Sequence, residues 1–129
     1  MFTPHIMPKG VDPWELQPAG TGLTLHVGTA LVLAEGKLAK CGATAKPTFV
    51  CMADAASTKA GQMVPVMRVL PDTVWETELS VISAGIQPGK KYTLDSSAEK
   101  ITATDASGVA EVVSFDGTAA GSKVRVRFA

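Results

Sequence analysis

Two cysteines are the side chains of this 129-residue chain best suited to nucleophilic chemistry. Cys41 and Cys51 lie ten residues apart, a spacing that by itself matches no zinc-binding pattern. A catalytic dyad would need His5 or His26 as an activating base, and no local motif joins either histidine to a cysteine. We interpret the cysteines as small buried side chains, with a disulfide as the alternative.

Two carboxylates could form a second chemical site. Glu76 and Glu78 are two residues apart on a predicted strand, so they would share one face, as the paired acids of a glycosidase or the ligands of a cation do. Simple alternation of polar and apolar residues on a solvated strand face explains them equally well. The G-T-G segment at residues 20–22 completes no phosphate-binding loop. We therefore predict no catalytic residue, no cofactor and no metal, and expect a protein that is not an enzyme.

The charge balance argues against two classes of partner. Twelve Lys and Arg residues balance twelve Asp and Glu residues, so the basic surface of a nucleic-acid binder or of a polybasic membrane anchor is missing. No apolar run approaches the roughly 20 residues that span a bilayer, and the proline-rich N-terminus does not read as a signal peptide. We expect neither a nucleic-acid nor a membrane partner, and a cytoplasmic protein unless it leaves inside a particle.

Short apolar runs separated by turn residues predict an all-β fold, a small barrel or sandwich over residues 23–129. Glu35 and Gly36 predict a hairpin turn, Pro65 favours an edge or bulged strand, and residues 54–60 predict a short helix or a loop. Aromatic residues make up only 5% of the chain, so the core must consist mainly of aliphatic side chains. The predicted strands are Leu23–His26, Ala30–Leu33, Lys37–Cys41, Thr48–Met52, Met63–Leu70, Val74–Val81, Lys91–Leu94, Lys100–Thr104, Val109–Phe115 and Lys123–Phe128.

Residues 1–22 predict an extended N-terminal arm, because four prolines fix the backbone and remove hydrogen-bond donors. The arm also carries large apolar side chains that a solvated linker would not need. It can dock on a neighbouring subunit or partner, or fold back on its own domain, and the sequence leaves both open. In the first case the candidate partner contacts are Phe2, Ile6, Trp14 and Leu16.

Residues 27–70 and 88–128 resemble each other in order and spacing, which indicates two pseudo-repeated β units sharing a core. Chance similarity between two β-rich segments is the alternative. The matched pairs keep a nearly constant separation along the chain: Gly28 and Gly89, Leu33 and Leu94, Asp54 and Asp116, Gly61 and Gly121, Val64 and Val124, Val66 and Val126.

Four segments carry a family resemblance: G-T-A-L-V-L-A-E-G-K-L-A-K, P-V-M-R-V-L-P-D-T-V-W-E-T-E-L, G-x-K-Y-T-L-D and S-G-V-A-E-V-V-S-F-D-G-T-A-A-G-S-K-V-R-V-R-F. From about residue 20 to residue 129 the chain resembles the head decoration proteins, also called capsid cement or capsid-stabilising proteins, of tailed phages and prophages. The resemblance lies in the general sequence pattern and in the order of the segments rather than in an active-site motif, so no binding residue can be carried over from it.

The resemblance implies a structural protein that binds the outer capsid surface and stabilises the head. The implied partner is the major capsid protein, and the protein itself would form a homo-oligomer, with a trimer favoured. It would lie on the capsid exterior of the virion and be expressed in the cytoplasm of the bacterial host. Arg125 and Arg127 could meet an acidic capsid surface or face solvent, and Trp75 could serve core or interface. The alternatives are another virion component, such as a head-completion or tail protein, and a small ligand-binding or enzymatic β-barrel.

Overall fold

Ten strands form two antiparallel five-stranded sheets in this computed structural model, which describes residues 1–7 and 14–128. No helix occurs within these residues, so the all-β prediction is confirmed, in its sandwich form rather than as a closed barrel. The first sheet has the order β2 (Trp14–Pro18), β6 (Met63–Arg68), β5 (Phe49–Cys51), β3 (Ala30–Ala34), β4 (Lys37–Lys40). The second has the order β1 (Thr3–Ile6), β7 (Val74–Glu78), β10 (Lys123–Phe128), β9 (Ala110–Phe115), β8 (Lys91–Tyr92).

The predicted arm folds back on its own chain wherever the structure describes it. β1 pairs with β7 at the edge of the second sheet, and β2 pairs with β6 at the edge of the first. Edge positions suit these segments because Pro4 and Pro18 cannot donate to a neighbouring strand. The middle of the arm, residues 8–13, lies outside the described residues, as does Ala129.

Four strands of each sheet are arranged in an equivalent order. In the first, β2-β6-β5-β3 follow one another, and in the second β7-β10-β9-β8 do so. The registers agree after one constant shift along the chain, since Leu16 pairs with Pro65 as Glu76 pairs with Arg125. A parallel bridge joins Ala19 to Leu38 in the first sheet and Leu79 to Ile101 in the second. The order and register of these strands thus agree between the two sheets, and the agreement includes β2 and β7, which lie outside the two similar sequence segments.

Two apolar clusters fill the interior. The first lies on one face of the first sheet and includes Leu31, Phe49 and Val66. The second covers the core face of the second sheet and extends to the opposite face of the first sheet, where it includes Val50 and Met67. The two sheets therefore pack through this second cluster, at whose centre the largest fully buried side chains are Trp75, Phe2 and Phe128.

Several local predictions can be compared directly with the backbone. Glu35 and Gly36 both have positive φ, 52° and 78°, and connect β3 to β4 as the predicted two-residue hairpin turn. Residues 54–60 form a loop, and the helical alternative is wrong because Ala55 and Thr58 donate their N–H groups to Leu25 and Leu23. The predicted strands near Leu25 and Ile101 reduce to isolated bridges.

Candidate interaction surface

Both thiols are buried and already hydrogen-bonded, which disfavours a nucleophilic role. The Sγ of Cys41 lies 3.0 Å from the carbonyl oxygen of Ala45, and the Sγ of Cys51 lies 3.0 Å from that of Ala53. Burial raises the pKa of Cys41 to about 11 and raises the pKa of Cys51 as well. Both cysteines are free, so the disulfide alternative is not what the structure contains.

We expect the native protein to resist thiol reagents. At about pH 8, where an ordinary thiol is partly ionised, Ellman's reagent should leave both cysteines unmodified for many minutes. Both should react at once in concentrated guanidinium. Because the folded pKa of Cys41 is raised, its contribution to stability is complete below the unfolded pKa of about 8.5 and is lost as the pH rises toward 11. Rapid modification of one thiol in the native state would contradict this description.

Glu76 and Glu78 share a face, as predicted, and each is paired with a cation. The carboxylate of Glu76 lies 3.4 Å from the Arg125 guanidinium and 3.9 Å from His5. That of Glu78 accepts a hydrogen bond of 3.0 Å from Lys123, and this bond holds the pKa of Glu78 below its usual value. The two acids therefore belong to a row of cross-strand ion pairs, which we call the charged face of the second sheet.

The arginines of the last strand also belong to this face. Arg125 donates to Ser114 Oγ at 2.8 Å and to Asp116 Oδ1 at 2.6 Å, and only 16% of its side chain is exposed. Arg127 lies 4.0 Å from Glu111. Arg125 is thus engaged within its own sheet, which leaves less of its charge for an acidic partner, whereas Arg127 is 42% exposed and makes only this long contact.

One shallow cavity of about 250 Å³ opens on the surface of the described chain. It is bordered by His26 and Asp54, together with Thr24, Leu25 and two alanines, Ala55 and Ala56. The Asp54 carboxylate accepts the N–H of Val27 at 2.9 Å, so it serves to fix the loop. No group of three His, Cys, Asp or Glu side chains that could hold a metal ion occurs within residues 1–7 and 14–128.

The four arm residues proposed as partner contacts have different positions. Phe2 is fully buried, with its ring 5.2 Å from that of Phe128, and is therefore a core residue in this conformation. Ile6, Trp14 and Leu16 are exposed at 56%, 52% and 61%. Trp75, whose role the sequence left open, is fully buried in the core.

Trp14 and Leu16 lie side by side on one face of the first sheet, with exposed Met63 on the adjacent strand. Pro18 and Pro65 lie on this same face, because each is directly opposite one of these residues in the register. We call these five residues the β2 face. It continues into the packed interior, since Trp14 pairs with Met67 of the second cluster.

The correspondence in register between the two sheets makes the β2 face unusual. In the matching register of the second sheet, Leu16 and Pro65 correspond to Glu76 and Arg125, while Pro18 and Met63 correspond to Glu78 and Lys123. The equivalent cross-strand positions thus carry salt bridges in the second sheet and exposed apolar side chains in the first. Sequence reasoning did not include Met63 among the candidate contacts. The similar segments offered a signal for it, because Met63 aligns with Lys123, which lies on the charged side of the K-V-R-V-R-F strand.

Comparison with known proteins adds no relative. The chain matches no protein-family model, and no curated protein resembles it at a significant level. Within the part of the chain that the structure covers, no helix is long and apolar enough to cross a membrane.

Proposed function

We propose that this chain is a structural protein of a tailed-phage or prophage particle, which binds the outer capsid surface and stabilises the head. The observation that carries the proposal is the β2 face. Exposed apolar patches on soluble proteins mark interaction sites more often than chance would give, and here the equivalent face of the second sheet is charged. Aromatic and methionine side chains are also the types enriched at protein interfaces.

The role follows from this surface and from the resemblance to head decoration proteins. Burial of Trp14, Leu16 and Met63 against the major capsid protein would contribute at roughly 25 cal/mol per Å² of apolar area. Many symmetric copies, each bound weakly, would add to the stability of the shell, the more so if copies contact one another as a homo-oligomer, with a trimer favoured. The charged face of the second sheet would then remain in solvent.

Co-sedimentation with purified expanded heads of a tailed phage tests the proposal. We expect the wild-type protein to pellet with the heads, and Leu16→Asp to bind at least about tenfold more weakly, because a buried leucine contributes about 1.5–3 kcal/mol. Ile82→Asp is the matched control, since Ile82 is 68% exposed on the loop that follows β7 and is not part of the β2 face.

Two results would count against the proposal. One is a wild-type protein that stays in the supernatant at every head concentration. The other is equal weakening by Leu16→Asp and Ile82→Asp, which would assign binding to general surface hydrophobicity. The mass of the free protein in solution, from analytical ultracentrifugation, tests the trimer separately.

A further inference from the structure

The edge of β2 differs from its counterpart in the second sheet by the absence of a neighbour. β7 is flanked by β10 on one side and by β1 on the other. Its equivalent, β2, pairs along its length with β6 alone among the described residues, while β4 lies near it and is joined to its end by the bridge between Ala19 and Leu38. The first sheet therefore lacks, in the part of the chain described, the strand that corresponds to β1.

The backbone of β2 presents hydrogen-bonding groups at this open edge. Ala19 donates its N–H to Gln62 and accepts from Gly61, so its backbone faces β6. Orientation alternates along a strand, which turns Glu15 and Gln17 toward β6 as well and directs the N–H and C=O groups of Trp14 and Leu16 outward. In β7 the residue equivalent to Leu16 is Glu76, and it pairs with Thr3 of β1.

The second sheet also shows which side chains such an added strand must carry. β1 places Thr3 beside Glu76, and His5 comes within 3.9 Å of the same carboxylate, so polar residues of β1 line the charged face. At the edge of β2 the corresponding neighbours are Trp14 and Leu16, which are exposed and apolar. A strand added there would need apolar side chains at the alternate positions that lie beside them.

We propose that the outer edge of β2, at Trp14–Leu16, accepts an extended segment of the capsid partner, antiparallel to β2 and apolar at alternate residues on the β2 face. An extended segment is expected here because β1, itself an extended segment, pairs with the equivalent edge of β7. It is expected to be apolar because the β2 face is continuous with the packed interior at Met67. Main-chain hydrogen bonds would hold the segment, and the apolar side chains would select it. This inference rests on the proposed function for the identity of the donor, while the edge itself can be tested alone.

A short blocked peptide of alternating valine and threonine, flanked by lysines, is the probe, and the same peptide with serine for valine is its control. We expect the valine peptide to shift the backbone amide resonances of Trp14 and Leu16 in the nitrogen-15 spectrum of the full chain, and the serine peptide to bind at least tenfold more weakly. Shifts of equal size with both peptides, or shifts confined to other residues, would overturn the proposal.

Leu16→Pro is the decisive variant. It removes an outward N–H without removing a bond to β6, and it should weaken peptide binding at least tenfold while the remaining amide resonances stay in place. Leu16→Ala keeps that N–H and should bind measurably more weakly than wild type but more tightly than Leu16→Pro. Glu76→Ala, at the equivalent residue of the filled edge, is the matched control and should bind like wild type. Unchanged binding by Leu16→Pro would overturn the proposal.

The two proposals fail in different ways. If the wild-type protein binds heads and Leu16→Pro binds them equally well, the edge is not used and the proposed function stands. If the peptide results are as expected but the wild-type protein ignores heads, the proposed function fails and the edge remains a strand-accepting site.

Discussion

Replacement of Phe2 by alanine should lower the free energy of unfolding by about 3–5 kcal/mol, the usual cost of removing a buried aromatic side chain from a core. The Phe2 ring is fully buried and meets the edge of Phe128 at a centroid distance of 5.2 Å. Its backbone N–H donates to the carbonyl of Gly28 at 3.0 Å, which fixes the first residues of the chain beside the second cluster. Equilibrium denaturation in urea measures the change.

Ile6→Ala is the matched control for Phe2→Ala. Phe2 precedes β1 and Ile6 is its last residue, but Ile6 is 56% exposed. Its replacement should therefore lower the free energy of unfolding by no more than about 0.5–1 kcal/mol. A free arm would make the two substitutions equally mild. Equal costs would therefore show that β1 is not docked in solution, and the arm would again be available to a partner.

Gly28→Ala should be the second strongly destabilising substitution, with an expected loss of about 2–5 kcal/mol. Gly28 has a φ of +94°, and an added Cβ would lie 2.4 Å from the Cβ of Met1 and 2.8 Å from the N of Phe2. The left-handed backbone costs a non-glycine residue about 1–2 kcal/mol, and the overpacking adds about 1–3 kcal/mol. The new methyl group would also push Phe2 away from its hydrogen bond to Gly28.

The repeat supplies a control for Gly28→Ala. Gly89, the residue that matches Gly28 in the second segment, has a φ of +87°, and nothing is within 4 Å of its added Cβ. Gly89→Ala should therefore cost only about 1–2 kcal/mol from the backbone. Thermal unfolding of the two variants side by side separates backbone strain from contact with the arm. If Gly89→Ala were as damaging as Gly28→Ala, the close approach of Met1 and Phe2 would not be the cause.

Strands whose pattern is local could be predicted from the sequence. Lys123–Phe128 alternates cleanly between charged and apolar residues, and the structure has β10 with those bounds. The turn at Glu35 and Gly36 carries its own chemistry, so its hairpin was also predictable. In both cases the residues that decide the structure are neighbours in the chain.

Strands that depend on distant partners could not be predicted. Thr3 pairs with Glu76, which lies beyond the middle of the chain, and prolines suppress the local signal for β1 and β2. The prediction that Pro65 marks an edge or bulged strand is wrong, since β6 lies between β2 and β5 rather than at an edge. It is tolerated at the end of the pairing with β5: Met52, just after β5, donates its N–H to the Pro65 carbonyl at 3.0 Å, and proline leaves only the return bond unmade.

The candidate surface was only partly accessible to sequence reasoning for the same reason. Composition identified Phe2, Ile6, Trp14 and Leu16 as apolar residues in a proline-rich arm, but it could not separate them. Phe2 enters the core because Gly28 and Phe128, both distant in sequence, form its site. Trp14 and Leu16 remain exposed because β2 lies at the edge of its sheet.

The edge strands of both sheets are short or carry proline or lysine, which disfavours edge-to-edge pairing between copies of the chain. β1 contains Pro4, β2 ends at Pro18, β4 carries Lys37 and Lys40, and β8 has two residues that begin with a lysine. Proline and lysine at such borders are the usual protection against runaway aggregation. The stretch of β2 between its start and Pro18 has room for only one short guest strand alongside it. Extension of a sheet from one copy of the chain to the next is therefore disfavoured at the edges of β1, β4 and β8.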